Sequence, residues 1–319
     1  MINVFKRIAN GFLRKMKYHS PQKIYNKRFE KNAFVNGECK NQQQYEAQII
    51  KMYHSVEKGL SYKNFRAGFG RQNIDDLIRA LESYAEQYDI EAFFYKTALS
   101  VLNEYVCKNE AYGLIDKELK ERIEKLPGIP NEHGGTIQIR PCNEAVYKSY
   151  EEFVLSRHSV REFSADSVNL DVIKESIALA QHTPSACNRQ GWKTRIIVNK
   201  DAIKTILANQ NGNRGFGENI DKLLVVTSDL RYFSKGREAY QAFIDGGMYA
   251  MNILHALHSK NIATIPLSAS LRAAQENVVR ACAKIDEAEV LIMFIGVGNY
   301  PDDALTTKSE RHEPRIDVI

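Results

Sequence analysis

Arg157-His158-Ser159-Val160-Arg161-Glu162-Phe163 is the stretch on which the reading of this chain turns. Two guanidiniums, an imidazole and a hydroxyl fall within residues 157–161, at the end of a helical segment. Guanidiniums bind phosphate oxygens bidentately, and a hydroxyl and free backbone N–H groups fill the remaining acceptor positions. One helix later comes Thr183-Pro184-Ser185-Ala186-Cys187-Asn188-Arg189-Gln190-Gly191-Trp192, a turn of small side chains ending in amides and an indole. Such a turn suits a flat heterocycle, with amide edges for its polar rim and little bulk over its face. Taken singly, the first stretch also reads as a charged helix end and the second as a loop anchored by its tryptophan. Together, and in this order, they predict a flavin mononucleotide (FMN) site and a redox enzyme.

Around these stretches the second part of the chain alternates between helix and strand. Helices are predicted over 144–156, 170–182 (with Asn169 as N-cap), 237–260 and 271–283, and strands over 194–198, 223–227 and 290–297. That is an α+β pattern, a sheet covered by helices. The first part is mostly helical, over 43–60 and 73–108, with Gly59 as a helix terminator and a two-glycine turn at 66–71. Residues 127–143, rich in Pro and Gly, mark a boundary. The expected division is 1–140, a basic helical region, and 141–319, the FMN-binding domain.

Composition narrows the classes. Of 319 residues, 44% are hydrophobic and 26% charged, which is globular rather than disordered. The net charge of +5 is uneven: residues 1–31 carry +8 and the remainder −3. Residues 1–17 read as a basic amphipathic helix, which either lies on an anionic membrane surface or packs on the protein. No aromatic-basic module for nucleic acid is present. The five cysteines form no C-x-x-C pair, which points to reduced thiols and a cytoplasmic location. His255 and His258 lack a third metal ligand nearby in sequence, so no metal site is expected.

The two stretches resemble motifs of the nitroreductase-like flavoproteins. Residues 157–163 fit Arg-[Arg/His]-Ser-x-[Arg/Lys]-x-Phe at every defined position, and 184–192 fit Pro-Ser-[Ser/Ala]-x-Asn-x-Gln-Pro-Trp except that Gly191 replaces the proline. The 237–260 segment resembles the family's central dimer helix, and 264–269 its loop toward the flavin's reactive nitrogen. The tail has one residue more between Lys308 and Arg311 than the family's tight form. Residues 54–60 and 68–70 look like segments of longer bacterial members with a helical N-terminal extension.

The resemblance implies a central, mostly antiparallel sheet and a homodimer with FMN at the interface. Arg157, His158, Ser159, Lys308 and Arg311 would hold the phosphate and ribityl chain, and Arg161 the pyrimidine edge. Pro184, Ser185, Ala186, Asn188 and Gln190 would line the ring from the other subunit. Ser268 or Ala269 would offer a backbone N–H to flavin N5, and Asn213 would stand at the ring edge. NADH or NADPH would supply a hydride for a conjugated small-molecule acceptor. The rivals are another flavin reaction on the same scaffold, such as dehydrogenation or dehalogenation, and a non-enzymatic membrane-surface or scaffold protein.

Overall fold

The structure is a computed structural model, and it describes residues 21–35, 38–61, 65–136, 144–302 and 314–319. The 1–17 helix, Lys308 and Arg311 therefore lie outside the described residues. Helices α1 (Pro21–Asn32), α2 (Gln42–Ser61), α3 (Arg71–Ala85), α4 (Phe93–Ala111), α5 (Lys117–Glu124), α6 (Glu144–Ser156) and α7 (Leu170–Ala180) precede strand β1 (Trp192–Ile197). Then follow α8 (Lys200–Asn209), β2 (Lys222–Asp229), α9 (Gln241–Ser259), β3 (Ala263–Ser268), α10 (Ala273–Cys282) and β4 (Glu289–Gly298). The fold is α+β, as the pattern predicts.

The four strands form one antiparallel sheet in the order β1-β2-β4-β3. Both faces are covered. Leu223 and Val225 of β2 join Ile203, Ile206 and Val279 of α8 and α10 on one side. Leu224 and Val226 join Ile173, Ile253 and Leu257 of α7 and α9 on the other. Alternate side chains of one strand thus enter two cores, which is why β2 and β4 read as unbroken apolar runs. A separate core, including Ile49, Leu77, Leu81 and Leu102, holds α2–α5 together.

The helical part is also bonded to the sheet-bearing part. Tyr25 donates to the Ala239 carbonyl. Arg28 pairs with Glu276 at 2.5 Å, and Tyr232 donates to Glu46 at 2.7 Å.

Several predicted elements differ in detail. The 73–108 helix is interrupted at 86–92, where Asp89 accepts from the Glu91 N–H; no Gly or Pro signals that break. Gly59 lies inside α2, and its bareness serves a contact instead: a Cβ there would stand 1.9 Å from the Phe69 ring. The 237–260 helix begins at Gln241, because Glu238 is drawn into an ion pair with Arg189. Residues 264–268, read as a loop, are strand β3. Pro266 within it is tolerated because β3 is an edge strand, paired with another strand on one side only.

Candidate functional site

Residues 157–163 meet the outer edge of β3 at Val160 and pass on toward the end of β4. The Val160 N–H donates to the Thr264 carbonyl at 2.9 Å, and Val160 and Phe163 are buried in the core beneath. Gly298 makes room for Phe163, since a Cβ there would come within 2.5 Å of the ring. Beyond it the Ser164 N–H donates to the Asn299 carbonyl at 3.0 Å. With Val160 and Phe163 anchored inward, the intervening and preceding polar residues are held at the surface. His158 and Arg161 are exposed, and among the described residues the Arg161 guanidinium reaches only the Ser159 carbonyl, at 3.5 Å.

Arg157 is different. Its side chain is half-buried, and Nη1 is fully buried with no hydrogen-bond partner among the described residues. His255 Nε2, on α9, is in the same condition. Phe153 packs edge-on against His255 and tilted against His258, while His258 Nε2 is 2.8 Å from the Ser156 hydroxyl. Burial, and after it the Arg157 charge, holds both imidazoles below the usual histidine range. A buried guanidinium nitrogen without an acceptor is costly unless something anionic completes it. The residues present therefore fit a phosphate. Among the described residues, no group of three or more His, Cys, Asp or Glu side chains could hold a metal ion.

The 184–192 turn is built at the other edge of the sheet, where it feeds β1. Cys187, Asn188 and Gln190 all have positive φ, at 52°, 56° and 51°. Left-handed backbone in three non-glycine residues costs roughly 1–2 kcal/mol each. Local bonds hold it: the Ser185 hydroxyl accepts from the Gln190 N–H at 3.0 Å, and the Ser185 carbonyl from the Asn188 N–H at 2.9 Å. Gln190 Nε2 donates to the Asn188 carbonyl at 2.9 Å, which ties those two predicted residues to each other. Asp245 of α9 accepts from the Ala186 N–H at 3.1 Å.

The strongest brace is Arg189, which sequence reasoning did not single out. It is 1% exposed and forms a two-pronged pair with Glu238, at 2.8 and 2.6 Å. It also donates to the carbonyls of Ala186 at 2.9 Å and Tyr232 at 2.7 Å. Arginine in a polar turn reads as surface, and nothing in the sequence marks this one as interior.

Two features of the turn are structural. Trp192 is buried, stacked on Tyr249 at 4.7 Å, with its indole N–H on Gln181 at 2.6 Å, so the indole is an anchor rather than a wall of the site. Gly191, in the place of the motif's proline, has its carbonyl on the Asp229 N–H at 2.7 Å. A Cβ there would come within 2.9 Å of the Tyr232 Cβ.

Ser268 and Asn213 meet through Gln210. Gln210 Nε2 donates to the Ser268 carbonyl at 3.2 Å, and its Oε1 accepts from Asn213 at 3.0 Å. Asn213 also donates to the Leu207 and Gln210 carbonyls, at 2.8 and 2.9 Å, which commits its amide to closing the end of α8. Ser268 is exposed and Ala269 half-buried at the end of β3.

Within one chain the arginine segment and the turn stand apart. Thr264 is in register with Val297, whereas Trp192 is opposite Ser228 and, through it, Val290. Three strand spacings across and the Val290–Val297 rise along β4 put Trp192 roughly 25–30 Å from Thr264, with the arginine segment beyond it.

Residues 154–213, which contain both motifs, match the model of the nitroreductase family, so this stretch of the chain is nitroreductase-like. Similar solved structures include a Parabacteroides distasonis protein proposed to be an NADH dehydrogenase/NAD(P)H nitroreductase (19% identity, 52% of this chain and 99% of that one, TM-score 0.44). Others are a nitroreductase family protein of Streptococcus pneumoniae (18%, 53% and 95%, 0.41) and an FMN-dependent nitroreductase of Clostridium difficile (15%, 51% and 98%, 0.42). No curated protein matches the chain. Among the described residues no helix is long and apolar enough to cross a membrane.

Proposed function

We propose that this chain is an FMN-dependent oxidoreductase acting as a homodimer, with each flavin held between the 157–161 segment of one subunit and the 184–190 turn of the other. The observation that carries the reading is the buried Nη1 of Arg157, without a partner among the described residues, inside the segment that matches the family model. Bound FMN would supply hydride uptake from NADH or NADPH at N5 and its delivery to a conjugated acceptor.

Each residue set then has a task. Arg157, His158 and Ser159, with Lys308 or Arg311, hold the phosphate end. Ser185, Ala186 and Asn188 line the ring, and the β3 end at Ser268 and Ala269 presents backbone to its edge. Arg161 places a cation at the pyrimidine edge, where reduction builds negative charge.

The dimer has two supports. The two motifs lie on diagonally opposite corners of one sheet, which favours a ligand shared between two chains. In addition Phe243, Ile244, Met248 and Met251 are exposed at helical spacing along α9, with exposed Tyr240 just before it. A monomer rarely leaves such an apolar stripe uncovered.

An absorption spectrum of the purified protein, before and after anaerobic addition of NADH or NADPH, tests the reading. A yellow protein that bleaches is the expected result, and a colourless one that refuses added FMN would overturn it. Arg161→Ala should lower the flavin midpoint potential and slow turnover, with little change in fold stability because the side chain is exposed. Spectroelectrochemical titration checks this, and an unchanged potential counts against the role.

A further inference from the structure

A groove of about 680 Å³ lies between α2, α3 and the 184–192 turn, with Cys187 at the turn end. That volume is in the range of small-molecule sites. We propose that this groove is the acceptor site, and that it takes a flat conjugated molecule carrying an anionic group such as a carboxylate. The proposal rests on the flavin reading for the word acceptor; the site and its charge preference stand on the groove itself.

The charge comes from facing helices. Lys51 and Lys58 of α2 and Arg79 of α3 line it against one carboxylate, Asp76. Asp76 is already occupied, by Arg79 and by the Gln72 amide at 3.0 Å. Lys58 is exposed and makes no side-chain hydrogen bond or ion pair with another described residue. A net positive, partly enclosed cleft concentrates anions.

The flat body is matched by Tyr45, whose ring is braced by Tyr84 and Tyr88 at 6.2 and 5.8 Å, and by Met52 beside it. The end of the groove is the strained part of the turn: Cys187 is left-handed and half-buried there. Backbone held in such a conformation by surrounding bonds, rather than by its own preference, is characteristic of ligand-contacting loops. The same turn carries Ser185, Ala186 and Asn188, so a molecule reaching Cys187 reaches the edge of the proposed ring site. The helical region thus forms a wall of the site and selects its ligand by charge.

The test is protection of Cys187 from iodoacetamide, read by peptide mass mapping, with exposed Cys107 as the internal control. The probes are 4-nitrobenzoate, neutral 4-nitrobenzyl alcohol and NADH, each with FMN-loaded and FMN-free protein. Expected is protection by 4-nitrobenzoate at roughly tenfold lower concentration than the alcohol, as one charge-assisted contact would give. Lys58→Glu should erase that preference while Cys107 labelling stays the same. Equal protection by the two nitro compounds, an unchanged preference in Lys58→Glu, or protection by NADH alone would overturn the proposal. Failure of the flavin reading shows separately, as protein that never takes up FMN whatever the labelling result.

Discussion

Arg189→Ala should lower the unfolding free energy by about 3–5 kcal/mol, the usual cost of removing one partner from a buried ion pair. The guanidinium is among the largest fully buried side chains, and it lies 5.5 Å from the Phe233 ring as well as on Glu238. Truncation leaves Glu238, among the described residues, with the Ser234 N–H and hydroxyl, at 2.6 and 2.7 Å. It also frees the Ala186 and Tyr232 carbonyls, and with them the left-handed turn, so FMN affinity should fall with stability.

The effect has a pH signature. Burial pushes the Glu238 carboxyl up, but the bonds from Arg189 and Ser234 outweigh it and hold it below the usual range. A depressed folded-state pKa contributes stability above the unfolded value, about 4.3, that is lost as pH falls through the folded one. Wild type should therefore lose this increment below about pH 4, and Arg189→Ala should have lost it already at neutrality. Urea unfolding of both proteins at pH 7 and pH 3.5 measures it. A gap between them that does not narrow in acid would refute the account.

That brace shows where sequence reading stops. The sheet-bearing part was largely legible, because β2 and β4 are buried on both faces and α7 has an N-cap whose side chain accepts from Asp171 N–H at 2.9 Å. The 157–163 motif was legible too, since its buried Val160 and Phe163 and its polar remainder follow a pattern visible in the residues. β3 was missed because Pro266 reads as a loop residue unless one knows the strand is at an edge. Helix α8 was missed although Asn199 caps it through the Ala202 N–H at 2.9 Å; its ten residues follow β1 closely without a Gly or Pro signal. Arg189–Glu238 depends on two residues 49 apart in sequence meeting in the interior, and no local pattern encodes that. The groove at Cys187 depends likewise on how α2 and α3 come to rest against a turn more than a hundred residues later.

Arg157→Ala should weaken FMN binding by roughly 10- to 150-fold, which corresponds to about 1.5–3 kcal/mol for a hydrogen bond to a charged group. Only the phosphate should notice. Riboflavin, which lacks it, should bind wild type and variant alike, so the FMN-to-riboflavin affinity ratio measures the contact apart from any loosening of the fold. Lysine should restore the ratio poorly, because a point charge cannot reproduce the planar fork aimed from a half-buried position. A second readout needs no flavin. Burial holds His255 and His258 low in the first place, and the Arg157 charge holds them lower. Losing that cation should raise both titration midpoints, which imidazole NMR resonances report directly. If Arg157 were merely a solvated helix end, its removal would leave both the ratio and the imidazole midpoints where they were.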